Sequence, residues 1–259
     1  MSALLATPEG VFWAALGAFV LVALGVFVAL QWVSAPYGRH ERPGWGPRIS
    51  ATLGWILMEA PSPIGMALGW AFADPDHRTP VSLVALLLWQ LHYVHRAFIF
   101  PFRRRGGQNT MPVSVAAMAF FFNTCNAWLQ SRWLFHLGPA LTLGWLADPR
   151  FWLGLALFVA GYAINQHADL VLFRLRRPGE TGYRVPMGGL YRLVSCPNYL
   201  GELIEWSGWA LLTWSPAGLA FVVWSFANLV PRARTNHQWY LERFPDYPKE
   251  RRAILPWLY

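Results

Sequence analysis

Glu59 and Tyr93 are polar groups set inside otherwise apolar stretches, and together they could bind one oxygen. Two donors converging on a carbonyl in a water-poor site stabilise the negative charge that develops on its oxygen during reaction. A tyrosine hydroxyl is such a donor as it stands. Glu59 donates only when protonated, a state that removal from water favours. Other polar residues recur at helical spacing. Asn165 and Asp169 are four apart, and Asn198, Glu202 and Trp206 form an i, i+4, i+8 stripe with Glu205 beside it. Arg96 follows Tyr93 by three positions. The segment 173–198 contributes Arg174, Arg176, Arg177, Tyr183 and Arg184, then Gly188 and Gly189, where backbone can approach a ligand closely.

Positioning these groups requires elements that tolerate lipid. Apolar stretches fall at about residues 11–33, 51–72, 81–101, 112–136, 150–172, 199–213 and 217–233. Most reach the roughly 20 residues that cross hydrocarbon as a helix. The last two form one run broken at Trp214-Ser-Pro216, which predicts a tight turn between helices. Hydrophobic residues make up 55% of the chain and charged ones 13%, with a mean hydropathy of +0.30. A soluble domain carries about a quarter charged residues, so lipid must cover this surface. The 16 tryptophans include several beside segment ends, such as Trp145 and Trp257, a placement suited to the headgroup level. The first run lacks a basic leader and a cleavage pattern and is too long for a signal peptide, so it is expected to be a retained helix. The expected fold is an all-α integral membrane protein, a seven-helix bundle forming one domain over residues 1–259, without internal repeats.

Basic residues alternate between the connecting segments. Three lie in 34–50, three in 102–111, five in 173–198 and six from Arg232 onward, against only Arg78 and Arg150 in the intervening connections. The positive-inside rule then predicts an external N-terminus and a cytoplasmic C-terminus. At 1.5 Å per residue, Glu59 and Tyr93 both lie roughly 12 Å below the cytoplasmic edge, on antiparallel neighbours. Arg96, Asn165, Asp169, Asn198, Glu202 and Glu205 fall on that same side. The pattern predicts a pocket open to the cytosol beneath arginine-rich loops. The 20 Arg to one Lys within a net charge of +8 fit phosphate binding or the codon bias of a GC-rich genome equally.

Each of these residues also has a structural reading. Glu59 could pair with Arg96 or a histidine, and Tyr93 could be a packed aromatic. Arg96 and Arg103 to Arg105 could reach toward headgroups, and Asn165 with Asp169 could join helices. His92 and His95 flank Tyr93 without a third ligand, so no metal is expected. Cys125 and Cys196 lie apart, and no disulfide framework is implied. Neither G-x-G-x-x-G nor G-x-x-x-x-G-K-[ST] occurs, so any nucleotide must be held by side chains.

Several segments resemble the steroid 5α-reductase family. They are Arg176 to Tyr191, Ser195 to Glu202, Glu205 to Ala210, Tyr240 to Lys249 and Ile254 to Pro256, preceded by Tyr37 to His40, Trp55 to Ser62, His92 to Arg96, Arg105 to Gly107 and Thr124 to Arg132. The upstream matches are nearest the type 1 isozyme. The resemblance implies seven helices, NADPH entering from the cytosolic side, and Glu59 with Tyr93 binding the steroid C3 carbonyl. It implies cofactor contacts from Asn165, Asp169, Arg176, Tyr183, Arg184, Asn198, Glu202, Arg232 and Tyr240, with Arg96 and Arg105 contributing. Most of the nucleotide site then falls in about residues 112–259. Trp55 and Trp206 match walls of the steroid pocket, and Tyr37 and Met58 belong to the same substrate region. Met58 replaces the family's usual Gln, and Asn236 stands in the nucleotide site where a His is common, with His237 following.

The implied activity is NADPH-dependent reduction of the Δ4 double bond of a 3-oxo-Δ4-steroid. Hydride addition to the β-carbon of an enone places charge on the carbonyl oxygen, which two donors stabilise. An enoyl reductase acting on a very-long-chain enoyl-CoA or polyprenal has the same cofactor and another lipid. From a different class, an S-adenosylmethionine-dependent isoprenylcysteine methyltransferase also builds a cytosolic pocket; Glu59, Tyr93 and the arginines argue against it. A transporter normally brings repeated halves, which are not seen. The expected partners are a steroid or sterol-like lipid and a bilayer, with no nucleic acid and no obligatory protein. That bilayer is the inner membrane for a bacterial source and the endoplasmic reticulum for a eukaryotic one.

Overall fold

The computed structural model describes residues 7–36, 38–104, 110–175, 180 and 182–259. Helices occupy each expected apolar stretch. Helix α1 spans Pro8–Trp32, and the second stretch is divided by Pro61 into α2 (Ala51–Glu59) and α3 (Pro61–Ala71). Proline has no N–H to continue the ladder, so α2 stops immediately after Glu59. The third stretch runs as α4 (Pro80–Val94), a π-helical turn (His95–Ile99) and α5 (Phe100–Arg103). Then come α6 (Val113–Arg132), α7 (Pro149–Arg174), α8 (Pro197–Thr213) and α9 (Pro216–Arg243). Among the described residues, three helical segments, Pro8–Trp32, Pro80–Arg103 and Pro149–Arg174, are long and apolar enough to cross a membrane.

Local chemistry sets the boundaries. Thr79 and Ser82 form a reciprocal capping box before α4, with Pro80 at the first helical position. The expected turn before α9 is present. Trp214 adopts the left-handed conformation at φ 44°, and the Ser215 hydroxyl accepts from Gly218 N at 2.8 Å. Helix α9 continues to Arg243, past the expected end at 233. Charged residues end the apolar run there without ending the helix, because Ala233 and Tyr240 remain buried against other elements.

The all-helical expectation needs one correction. Strands β1 (Arg48–Ser50) and β2 (Thr110–Pro112) pair antiparallel, with Ile49 opposite Met111. Arg48 Nε donates to Thr110 Oγ1 at 2.8 Å. Each strand is three residues long, so neither segment alone carries a strand period, and the pairing exists only once the two loops meet.

A column of large aromatics forms the core: Trp89, Phe135, Phe158, Trp206, Trp209 and Phe221 are buried together. Two of the three indoles find acceptors, with Trp89 Nε1 donating to Ser62 O at 3.1 Å and Trp209 Nε1 to Gln130 Oε1 at 2.9 Å. Helix α1 buries the stripe Phe12, Leu16, Phe19 and Ala23 near Leu129, Ala217 and Ala220. Other large side chains point outward. Leu21, Phe72 and Phe121 are at least 70% exposed, an apolar surface of the kind a bilayer covers.

Helices α7 and α8 lie unusually close, and glycines permit it. A Cβ at Gly161 would stand 2.3 Å from Glu205 N and 2.5 Å from Gly201 O, while one at Gly154 would stand 2.4 Å from Leu212 N. Gly154 and Gly161 on α7 face Gly201 and Gly208 on α8, seven residues apart on each helix. Small residues at a helix interface bring the two backbones together. Asn165 and Asp169 are thereby pressed against the Asn198–Glu202 turn of α8.

Candidate active site

A cavity of about 460 Å³ opens among α2, α4, α6, α8, α9 and the segments at one end of the bundle. Glu59 at the end of α2 and Tyr93 in α4 both line it, as do Trp55, Met58 and Trp206. Tyr93 is buried and stacks on Trp206 with ring centroids 5.6 Å apart. Glu59 and Tyr93 thus reach one cavity from two different elements.

Asn123 of α6, absent from the residues expected at the site, organises this corner. Its Nδ2 donates to Met58 O at 2.7 Å and to Glu59 Oε2 at 3.3 Å, while its Oδ1 accepts from Ser62 Oγ at 2.8 Å. A backbone carbonyl can only accept, so the Met58 contact fixes which end of the amide is nitrogen. An asparagine amid the apolar run of α6 is the signal that the sequence does carry.

Arg96 lies in the π-helical turn, and its side chain is mostly buried. Its Nη1 lies 3.3 Å from Asp169 Oδ2 and its Nη2 3.7 Å from Glu202 Oε1, and its guanidinium covers Phe100 at 4.3 Å and Trp55 at 4.8 Å. Arg96 therefore pairs within the bundle, and Glu59 is held by Asn123. Asn165 does not line the cavity. It sits behind the wall, donating to Asn198 O and Glu202 Oε1, each at 3.1 Å, and so joins α7 to α8.

Asp169, Tyr183, Arg184, Asn198, Glu202, Arg232, Asn236 and Tyr240 line the same cavity. Arg39, Arg104, Arg184 and Arg232 reach it from each of the four arginine-rich segments, so all four gather at one end of the molecule. Arg39, which the sequence marks only as one basic residue of the segment Tyr37 to His40, also lines the cavity. It is enclosed by Tyr240, Trp239 and Tyr183, with ring centroids 4.5, 4.9 and 5.5 Å from its guanidinium. Its Nη1 is buried without a hydrogen-bond partner among the described residues. Asn236 accepts from His40 at 3.0 Å, and burial pushes the His40 imidazole down, keeping it neutral. His237 turns away instead, its Nδ1 2.6 Å from Ser195 Oγ, so it does not substitute at this position. Tyr37, Arg105 and Arg176 lie outside the described residues.

The two histidines beside Tyr93 make hydrogen bonds. His92 Nδ1 meets Glu205 Oε1 at 2.8 Å, and His95 Nδ1 meets Gln166 Nε2 at 3.2 Å. Among the described residues, no group of three or more His, Cys, Asp or Glu is arranged to hold a metal. The cavity thus joins an aromatic pocket, lined by both Glu59 and Tyr93, to a mouth rich in cations.

The family profile for 3-oxo-5-alpha-steroid 4-dehydrogenase matches residues 109–259. The chain is 43% identical to a steroid 5-alpha-reductase of Gossypium hirsutum, over 98% of this chain and 100% of the relative. It is 41% identical to 3-oxo-5-alpha-steroid 4-dehydrogenase 1 of Homo sapiens, over 92% of each. A steroid 5-alpha-reductase of Arabidopsis thaliana is 41% identical over 90% of each. On the extent of these matches, the chain belongs to the 3-oxo-5-alpha-steroid 4-dehydrogenase family.

Proposed function

We propose that this protein reduces the Δ4 double bond of 3-oxo-Δ4-steroids to 5α-reduced 3-oxosteroids, with NADPH as the reductant. The observation that carries the reading is that Glu59 and Tyr93 line one cavity with the aromatic walls Trp55 and Trp206, while Arg39, Arg184 and Arg232 line its other parts. The relatives' names supply the substrate class.

The residues present fit a phosphorylated nucleotide. The buried, unpartnered Arg39 Nη1 calls for an acceptor, and phosphate oxygens meet that need. Arg184, Arg232 and, from outside the described residues, Arg105 and Arg176 would add charge for the phosphates. Tyr183, Asn198, Asn236 and Tyr240 would hold the remaining polar edges, while Asn165, Asp169, Glu202 and Arg96 brace that wall. Most of these positions lie within 112–259. When bound, the reduced nicotinamide supplies the hydride.

The chain's own residues do the rest. Tyr93 and protonated Glu59 donate to the substrate carbonyl oxygen and stabilise the charge that accumulates there. Asn123 donates to Glu59 Oε2, leaving Oε1 to carry the proton toward the substrate. Trp55, Met58 and Trp206 pack against the steroid and exclude water. Glu59 in this role parallels the neutral carboxylic acid that ketosteroid isomerase pairs with a tyrosine.

The same reading makes the chain a seven-span membrane protein, one domain with its N-terminus outside and its C-terminus in the cytoplasm. The convergence of four arginine-rich segments on one cavity supports placing them on one side. Purified protein should be incubated with testosterone or progesterone plus NADPH, following loss of the reduced nicotinamide and formation of the 5α-reduced ketone. Cofactor oxidation tied to that product is expected; no reduction of either steroid would remove the proposal.

A further inference from the structure

Reduction of an enone adds two hydrogens to different carbons. Hydride goes to the β-carbon, and the α-carbon must gain a proton. Glu59 and Tyr93 account for the oxygen only, so the proton must come from another group. The α-carbon is bonded to the carbonyl carbon, so its donor must stand beside the carbonyl clamp.

His92 stands there. It lines the same cavity, and its ring centroid lies 4.9 Å from that of Tyr93 and 4.5 Å from that of Trp206. Its Nδ1 is 2.8 Å from Oε1 of Glu205, a carboxylate with 0% exposure. The other carboxylate oxygen, Oε2, has no partner among the described residues. With Nδ1 committed to Glu205, Nε2 is the ring nitrogen left for the cavity. A buried carboxylate that orients a histidine also stabilises its protonated form, which is how histidine–carboxylate pairs serve general acid–base chemistry. A carboxylate without other partners in an aromatic core is costly to retain for packing alone.

We propose that His92, oriented by Glu205, delivers the proton to the α-carbon of the substrate. The inference rests on the enone-reduction reading. After hydride reaches the β-carbon, the substrate is an enolate whose oxygen is held by Glu59 and Tyr93. The α-carbon forms its new C–H bond with the enolate electron pair as the Nε2–H bond of the imidazolium breaks. That bond's electrons remain on Nε2, the ring becomes neutral, and a proton from water restores it. His92 is the catalytic residue of this step, and Glu205 is a positioning residue.

The test is the stereochemistry of labelling. Full-length protein with NADPH reduces a 3-oxo-Δ4-steroid in deuterium oxide, and short incubations are analysed for deuterium at the α-carbon. Delivery from a fixed side chain places the label on one face, so mixed labelling by the unaltered protein overturns the proposal without any variant. His92→Gln should lose at least about 10²-fold in turnover, the usual range for general acid catalysis, and give mixed labelling. Near-normal turnover with one-face labelling in this variant assigns the proton to Tyr93 or water instead. Glu205→Gln provides a second decision should His92→Gln lose cofactor binding. Without the carboxylate the imidazolium gives up its proton more readily, so the alkaline limb of the rate profile should move to lower pH. Glu202, Arg96, Glu59, Tyr93, Tyr162, His95 and Asp169 are the other titratable groups near His92 and are unaltered in that variant. An unmoved limb contradicts the proposal. Absence of steroid reduction by the unaltered protein is a separate result, and it removes the functional reading itself.

Discussion

Asn123 Nδ2 donates to Glu59 Oε2 at 3.3 Å, which ties α6 to the last residue of α2. Because the same nitrogen also donates to Met58 O at 2.7 Å, the amide cannot turn over without burying two unpaired acceptors. One oxygen of Glu59 is thus committed as an acceptor of the Asn123 amide. Under the proposed mechanism, a carboxyl held in this way is a donor at a fixed point rather than a mobile charge.

Asn123→Ala removes that anchor. The Met58 carbonyl loses its side-chain donor, and a loss of about 1–3 kcal/mol in stability is expected. Turnover should fall while cofactor affinity holds, because Asn123 lies at the carbonyl corner. Thermal unfolding in detergent and cofactor titration of the variant check both. Unchanged turnover would mean that Glu59 needs no such support.

Gly161→Ala should destabilise the protein by about 1–3 kcal/mol or more through overpacking. The added methyl would meet the backbone at Glu205 N and Gly201 O, neither of which can swing away. Gly25→Ala is the control, since nothing lies within 4 Å of that site in α1. Equal melting temperatures for the two variants would show that α7 and α8 are not in close contact.

The charge alternation and the gathering of arginines predict termini on opposite sides of the membrane. Reporter fusions should place the N-terminus outside and the C-terminus in the cytoplasm. Both reporters on one side would mean a miscounted span, with the Trp214–Pro216 turn between α8 and α9 the first place to look.

Neutralising Arg184 or Arg176 should weaken NADPH binding far more than NADH binding, because only the first carries a 2′-phosphate. Arg184 lines the cavity, and its Nη2 also meets Glu180 at 3.1 Å. Titrating both nucleotides against each variant gives the comparison. Equal losses would assign these arginines to the shared pyrophosphate.

Much of this site could be read along the chain. The polar stripe Asn198, Glu202 and Trp206 and the pair Glu59 and Tyr93 are visible because a polar residue in or beside an apolar stretch is conspicuous. Helix positions followed from apolar length, and the sharp turn followed from Pro216. What the sequence concealed are partnerships. That Arg39 would lie among Tyr183, Trp239 and Tyr240 depends on three distant segments meeting. Strands β1 and β2 are each too short to show a period. His92 and Glu205 carry no mark of pairing until α4 and α8 are side by side. Asn165 was legible as polar, yet only packing shows that it braces the wall and does not line it.

Steady-state turnover of Tyr93→Phe, with NADPH affinity measured beside it, tests the account at its centre. The ring still packs on Trp206, so cofactor binding should be nearly unchanged. Loss of one oxyanion donor costs about 2.7–4 kcal/mol, and turnover should fall by roughly 10²–10³-fold. Glu59→Gln retains a donor and should be milder than Glu59→Ala. Near-normal turnover in Tyr93→Phe would contradict the two-donor mechanism and the role assigned to this cavity.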